Sequence, residues 1–242
     1  MTTETQHDRA TERRSLYMKK TILCIGDSNT YGLNPANWER FGHGIRWTSL
    51  LADKLRPQNI EIIEEGLCGR TSVYEDAVRP HRALIRNLDL ILETHAPVDY
   101  VVLMLGTNDC KSAFHASAPE IASGVSDLLD ILERFVPASH ILLLSPIHLG
   151  NRVFEDGFDP EFNRQSVRVS RELASCYKEL AQSRGTFFLD ASRVAAPSAL
   201  DQEHMDASGH AALSDLIART FVRHIFPATS SRSASAGTKH IA

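Results

Sequence analysis

Short apolar runs at residues 21–25, 60–64, 100–105, 141–144 and 186–189 constrain this fold more than any other feature of the chain. They are rich in Val, Ile, Leu and Phe, and none alternates cleanly with polar residues. A strand that faces water on one side alternates, whereas a strand covered by helices on both faces does not. The runs therefore read as fully buried parallel strands. Parallel neighbours need crossover connections, and helical patterns fill the intervals. Ile121, Val125, Leu128, Leu129 and Leu132 recur at helical spacing behind Ser117 as a cap and Pro119 in the first turn. Val169, Leu173, Cys176, Tyr177 and Leu180 repeat the pattern, and Gly185 stops it. Ser208 reads as the cap of a last helix carrying Leu213, Leu216, Ile217 and Phe221. Residues 47–55 and 83–92 fill the two remaining gaps. Strand and helix in alternation predict an α/β fold, a three-layer α/β/α sandwich.

The bulk properties set limits. A chain of 242 residues with 43% hydrophobic content is ordinary for a globular protein with a sizeable core. A net charge of -4, with Lys and Arg scattered, gives no basis for nucleic-acid binding or an anionic membrane surface. No apolar run is long enough to span a bilayer. Cys24, Cys68, Cys110 and Cys176 lack metal-ligand spacing and a CxxC pair. They read as reduced, mostly buried thiols, which suits a cytoplasmic protein. Residues 18–227 contain no linker and no repeat, so they read as one domain. Residues 1–17 are polar and charged; a disordered arm or a second start at Met18 accounts for them. The run after Lys19 and Lys20 is too short for a secretion signal. Residues 228–242, rich in Ser, Ala and Thr, read as a loose tail.

Chemistry-bearing residues follow the strands. Gly26-Asp27-Ser28-Asn29 closes the first run, Gly69 follows the second, Gly106-Thr107-Asn108-Asp109 follows the third, and Asp201 with His204 comes after the last. In open α/β sheets, ligands bind beyond the carboxyl ends of the strands. Four separated segments thus converge on one edge. Ser28 is a candidate nucleophile; Gly26 permits a tight turn and Asp27 supports it by bonding backbone amides. Thr30 stands where a G-x-S-x-G elbow would have its second glycine. His204 is the candidate base, with Asp201 placed to fix its tautomer. Gly69 and Asn108, with the Ser28 amide, are candidate oxyanion donors. Each residue alone has a plainer reading: Ser28 as a helix cap, His204 in a solvated loop, Gly69 and Asn108 as turn residues. Asp201, His204, Asp206 and His210 also leave a metal-dependent hydrolase open, although their spacing matches no metal signature. A non-catalytic binding domain on the same fold is the other alternative.

The combination resembles the SGNH (GDSL-type) hydrolase family. Gly26-Asp27-Ser28 is similar to its first block, Gly69 to its second, Gly106-Thr107-Asn108-Asp109 to its third, and Asp201-x-x-His204 to its last. The resemblance implies a flavodoxin-like five-stranded parallel sheet of order 2-1-3-4-5, no metal, no cofactor, and an acyl-enzyme mechanism using Ser28, His204 and Asp201. Asn29 departs from the leucine common after the serine, and is expected to alter acyl or alcohol contacts near the nucleophile. Arg46-Trp47-Thr48, Ile63 to Leu67, Arg70-Thr71 and Met104 to Asp109 are similar to the bacterial arylesterase and acyltransferase branch, which includes carbohydrate acetylesterase-like members. That likeness implies small short-acyl esters as substrates, acyl transfer to alcohols or peroxide, and homo-oligomers, some of them octamers. Arg46 and Trp47 read equally as a structural pair at a helix start. The loops at 34–45 and 147–162 are expected to shape the pocket.

Overall fold

The computed structural model describes residues 19–226. The expectations for an arm at 1–17 and a tail at 228–242 lie outside them. The strands are β1 (Lys20–Gly26), β2 (Ile60–Gly66), β3 (Tyr100–Met104), β4 (Ile141–Ser145) and β5 (Phe187–Asp190). They form one sheet in the order β2-β1-β3-β4-β5, every neighbouring pair parallel. Gly26 stands opposite Gly66 on one side and Met104 on the other, so three strands end at the same level.

The strand side chains divide the core in two. Leu23 and Ile25 of β1 pack with α3 (Leu88–His95), α4 (Ala118–Leu132) and α5 (Arg164–Arg184). Ile22 and Cys24 face the opposite way, toward α2 (Trp47–Leu55) and α6 (Ala207–Thr220). Successive strand residues point to opposite faces, so continuous apolarity is what a sheet covered on both sides requires. β1, β3 and β4 are buried almost throughout.

Complete burial fails for the outer strands. β2 and β5 lie at the edges and are half-buried. An edge strand has one free side, and β2 uses it for charge: Glu64 accepts from Arg46 and Arg40. Arg46 and the fully buried Trp47 are thus a structural pair at the start of α2.

Two helix expectations change. Residues 83–92 split into a single turn at Leu84–Arg86 and the helix α3. The Leu84 and Ile85 amides donate to Thr71 and Ser72 carbonyls instead of continuing a helix. The cap of α6 is Asp206, whose carboxylate accepts from the Gly209 amide at 2.8 Å; Ser208 lies inside the first turn and donates to the same oxygen. Ser117 and Glu120 form the capping box of α4, and Gly185 ends α5 in the left-handed conformation. All four cysteines are free thiols, Cys68 and Cys176 only half-buried. No helix among the described residues is long and apolar enough to cross a membrane.

Candidate active site

The turn after β1 presents Ser28 at the start of a one-turn helix, α1 (Ser28–Tyr31). Asp27 caps that turn, its Oδ1 accepting from the Asn29 amide at 3.0 Å. A Cβ on Gly26 would sit 2.0 Å from Thr30 Oγ1, so only glycine lets the turn close this tightly. Ser28 is therefore fixed by backbone geometry rather than by its own side chain. Its hydroxyl remains free to act.

That hydroxyl lies 2.7 Å from His204 Nε2, and His204 Nδ1 lies 2.7 Å from Asp201 Oδ2. Asp201 is held below the usual carboxylate range: bonds from His204 and from the Glu203 and His204 amides outweigh its burial. A charged carboxylate only accepts, so the imidazole carries its proton on Nδ1 and offers a lone pair to Ser28. Burial lowers the His204 pKa, but Asp201 and Glu203 reverse this and hold it above the ordinary imidazole value. The same two carboxylates favour the charged form of the ring.

The remaining sequence candidates lie on the same cavity, of about 330 Å³, lined by Ser28, Gly69, Asn108 and His204. Gly69 adopts φ +79, and a Cβ there would approach Arg79 Nη1 to 3.2 Å. Neither the Gly69 nor the Ser28 backbone N–H is hydrogen-bonded to another group among the described residues. Asn108 donates one side-chain N–H to the Arg70 carbonyl at 3.1 Å, which orients the other. Asp109 accepts from the Ser72 amide at 2.8 Å and from its hydroxyl, tying the loop after β2 to the loop after β3. Trp38 and Asp159, from the loops at 34–45 and 147–162, also line the cavity. Trp38 is 64% exposed and lies edge-on to the His204 ring, with centroids 6.1 Å apart. A larger hollow of about 790 Å³ opens beside β5 and α5, but no serine–histidine pair lies in it.

Asn29 behaves differently from expectation. It is buried and does not line the cavity. Its Oδ1 accepts from the Met205 amide at 3.0 Å, and its Nδ2 donates to the Glu203 carbonyl at 3.4 Å. It thus clamps the serine turn to both sides of His204. Sequence reasoning also passed over Glu203, which is 6% exposed and places Oε1 3.8 Å from His204 Nε2. Its signal was present, since an acidic residue adjoins the candidate base. Arg70, which the sequence marks only through a likeness, donates from its guanidinium to the Gly26 and Glu65 carbonyls and braces the ends of β1 and β2.

The residues set out for a metal alternative have separate tasks. Asp206 caps α6, and His210 Nδ1 accepts from the Trp47 amide at 3.3 Å. Burial pushes His210 down to about 4, so it accepts as a neutral ring. No group of three or more His, Cys, Asp or Glu among the described residues is placed to hold a metal ion.

Comparison with known proteins gives the family. The model of the GDSL-like Lipase/Acylhydrolase family matches residues 24–213, well over half of the chain. No curated protein sequence matches. Among solved structures, a carbohydrate acetylesterase family member from Sinorhizobium meliloti is 33% identical with a TM-score of 0.76, covering 83% of this chain and 96% of that one. The native M. smegmatis aryl esterase is 32% identical with a TM-score of 0.75, covering 86% of this chain and 100% of that one. The lipase/acylhydrolase from Enterococcus faecalis, at 17% identity and TM-score 0.63, shares the fold; it covers 86% of this chain and 98% of that one. The chain belongs to the GDSL-like lipase/acylhydrolase family and is a carboxylic ester hydrolase.

Proposed function

We propose that this enzyme hydrolyses small short-acyl esters, aryl esters or acetylated sugars, through an acyl-enzyme formed on Ser28. The observation that carries the reading is the unbroken relay of two 2.7 Å contacts from Ser28 Oγ through His204 to Asp201 Oδ2. A serine hydroxyl is a weak nucleophile until a base removes its proton. His204 Nε2 takes that proton as Oγ attacks the ester carbonyl. Negative charge then develops on the carbonyl oxygen. The Ser28 and Gly69 amides and the Asn108 side chain donate to it, and one such donor is typically worth about 3 kcal/mol. His204 returns the proton to the departing alcohol, then activates water to release the acid.

Acyl transfer to an alcohol or peroxide uses the same acyl-enzyme, with the acceptor replacing water. The proposal places the enzyme in the cytoplasm as a homo-oligomer, up to an octamer; light scattering of the purified protein measures the assembly. One structural neighbour named above is a carbohydrate acetylesterase family member and another is an aryl esterase, which supports the substrate classes. The Ser28→Ala variant tests the reading. It should fold normally and lose hydrolysis of p-nitrophenyl acetate, and full turnover by that variant would refute the assignment.

A further inference from the structure

Glu203 is set apart among the charged side chains of the cavity because it is buried and alone. It lines the cavity at 6% exposure, and no donor among the described residues hydrogen-bonds its carboxyl. Its ion-pair contact, to His204 Nε2 at 3.8 Å, is too long for a hydrogen bond. Asp201, two positions earlier, accepts from His204 Nδ1 and from two backbone amides. With no protein donor on them, the Glu203 carboxyl oxygens open onto the cavity, where water can reach them. A ligand that fills the cavity displaces that water and must supply a donor in its place.

The position identifies which part of a ligand supplies it. The departing oxygen of the ester has to reach His204 Nε2 to receive its proton. A carboxyl oxygen 3.8 Å from that nitrogen therefore lies beside the alcohol half of the ester, next to the scissile oxygen. The Glu203 backbone is held in place by its N–H, which donates to Asp201 Oδ1 at 3.0 Å, and by Asn29 Nδ2, which donates to its carbonyl at 3.4 Å. We propose that Glu203 is a specificity-determining residue that hydrogen-bonds a hydroxyl on the alcohol half of the ester, adjacent to the scissile oxygen, so that short-acyl esters of polyols are preferred. The proposal rests on the esterase reading above and narrows its substrate class.

A neutral hydroxyl fits better than a cation. Burial, with the charges of Asp159 and Asp201 adding to it, pushes the Glu203 carboxyl up to about 7. Near neutral pH both protonation states are populated, and each can bond a hydroxyl. The uncharged state offers an ammonium little. Arg79 and Arg82 on the same cavity offset Asp159 and Glu203, which leaves no surplus negative charge to attract a cationic guest.

The test compares kcat/KM for hydroxyethyl acetate and propyl acetate, which differ by a hydroxyl against a methyl. The wild-type enzyme should favour the hydroxyl ester about tenfold, the upper end for one net hydrogen bond. Glu203→Leu should bring the ratio close to unity, whereas Glu203→Gln, whose amide still bonds a hydroxyl, should retain most of it. Changes in overall turnover cancel in the ratio. A wild-type ratio near unity, or a ratio that survives Glu203→Leu, overturns the proposal. So does a larger gain for acetylcholine over its neutral carbon isostere, which would assign the carboxyl to an ammonium. Failure of the esterase reading looks different: neither acetate is turned over, or p-nitrophenyl acetate hydrolysis persists in Ser28→Ala.

Discussion

At the scale of single residues, the orientation of His204 decides the chemistry. Asp201 can only accept, and that fixes which ring nitrogen holds the proton. Asp201→Asn can present its amide N–H to the ring and favour the opposite tautomer. We expect kcat to fall on the order of 10⁴-fold with the fold intact; steady-state kinetics checks this, and unchanged kcat would mean another carboxylate orients the ring. The same pair sets the pH dependence. In the proposed mechanism His204 acts as a base only when neutral, and its pKa is held above the ordinary imidazole value. Hence kcat/KM for a neutral ester should rise with pH through a midpoint above that of a free imidazole, and fall on acidification. Asn29 adds a prediction of its own. Asn29→Leu leaves the buried Met205 amide unpartnered and releases the Glu203 carbonyl. That costs about 1–3 kcal/mol of stability, measurable by urea denaturation, and should lower kcat more than it raises KM. That Ser28, His204 and Asp201 would come together was legible, because their residue types in that order suit only a few reactions. The role of Asn29 was not, because its partners lie across the fold and a polar residue beside a nucleophile reads equally as a substrate contact.

At the scale of elements, strand identity was easier to read than strand position. The continuous runs marked all five strands to within two residues at either end. They could not separate edge from centre, since Glu64 in β2 reads as a boundary residue until Arg40 and Arg46 are seen on it. Helix ends were legible where the cap is local, as at Ser117 and Gly185. The split of 83–92 was hidden, because the Thr71 and Ser72 carbonyls that take its first amides belong to another segment. The start of α6 offered two capping residues, Asp206 and Ser208, and the carboxylate reaches the Gly209 amide. Asp206→Ala should therefore cost about 1 kcal/mol, whereas Ser208→Ala should cost less. Chemical denaturation of the two variants distinguishes them.

At the scale of the whole molecule, the parallel sheet makes the site. Ser28 and His204 are 176 residues apart, and they meet because every strand delivers its following loop to the same edge. Concentrating acids there has a cost in stability. Burial raises Asp27 and Asp109 to about 6 and Glu203 to about 7. A carboxyl raised on folding stabilises the native state below its unfolded pKa, and that contribution is lost as pH climbs through the folded value. Glu203→Gln removes one such group. Its Tm relative to wild type should increase as pH rises from about 4.5 toward and past 7, as read by thermal melts across that range. The central claim is that His204 activates Ser28. Mass spectrometry after treatment with a fluorophosphonate probe tests it most directly. The account predicts one adduct, on the peptide containing Ser28, lost in Ser28→Ala and strongly slowed in His204→Ala. An adduct on another residue, or labelling of Ser28 at an undiminished rate without the imidazole, would contradict it.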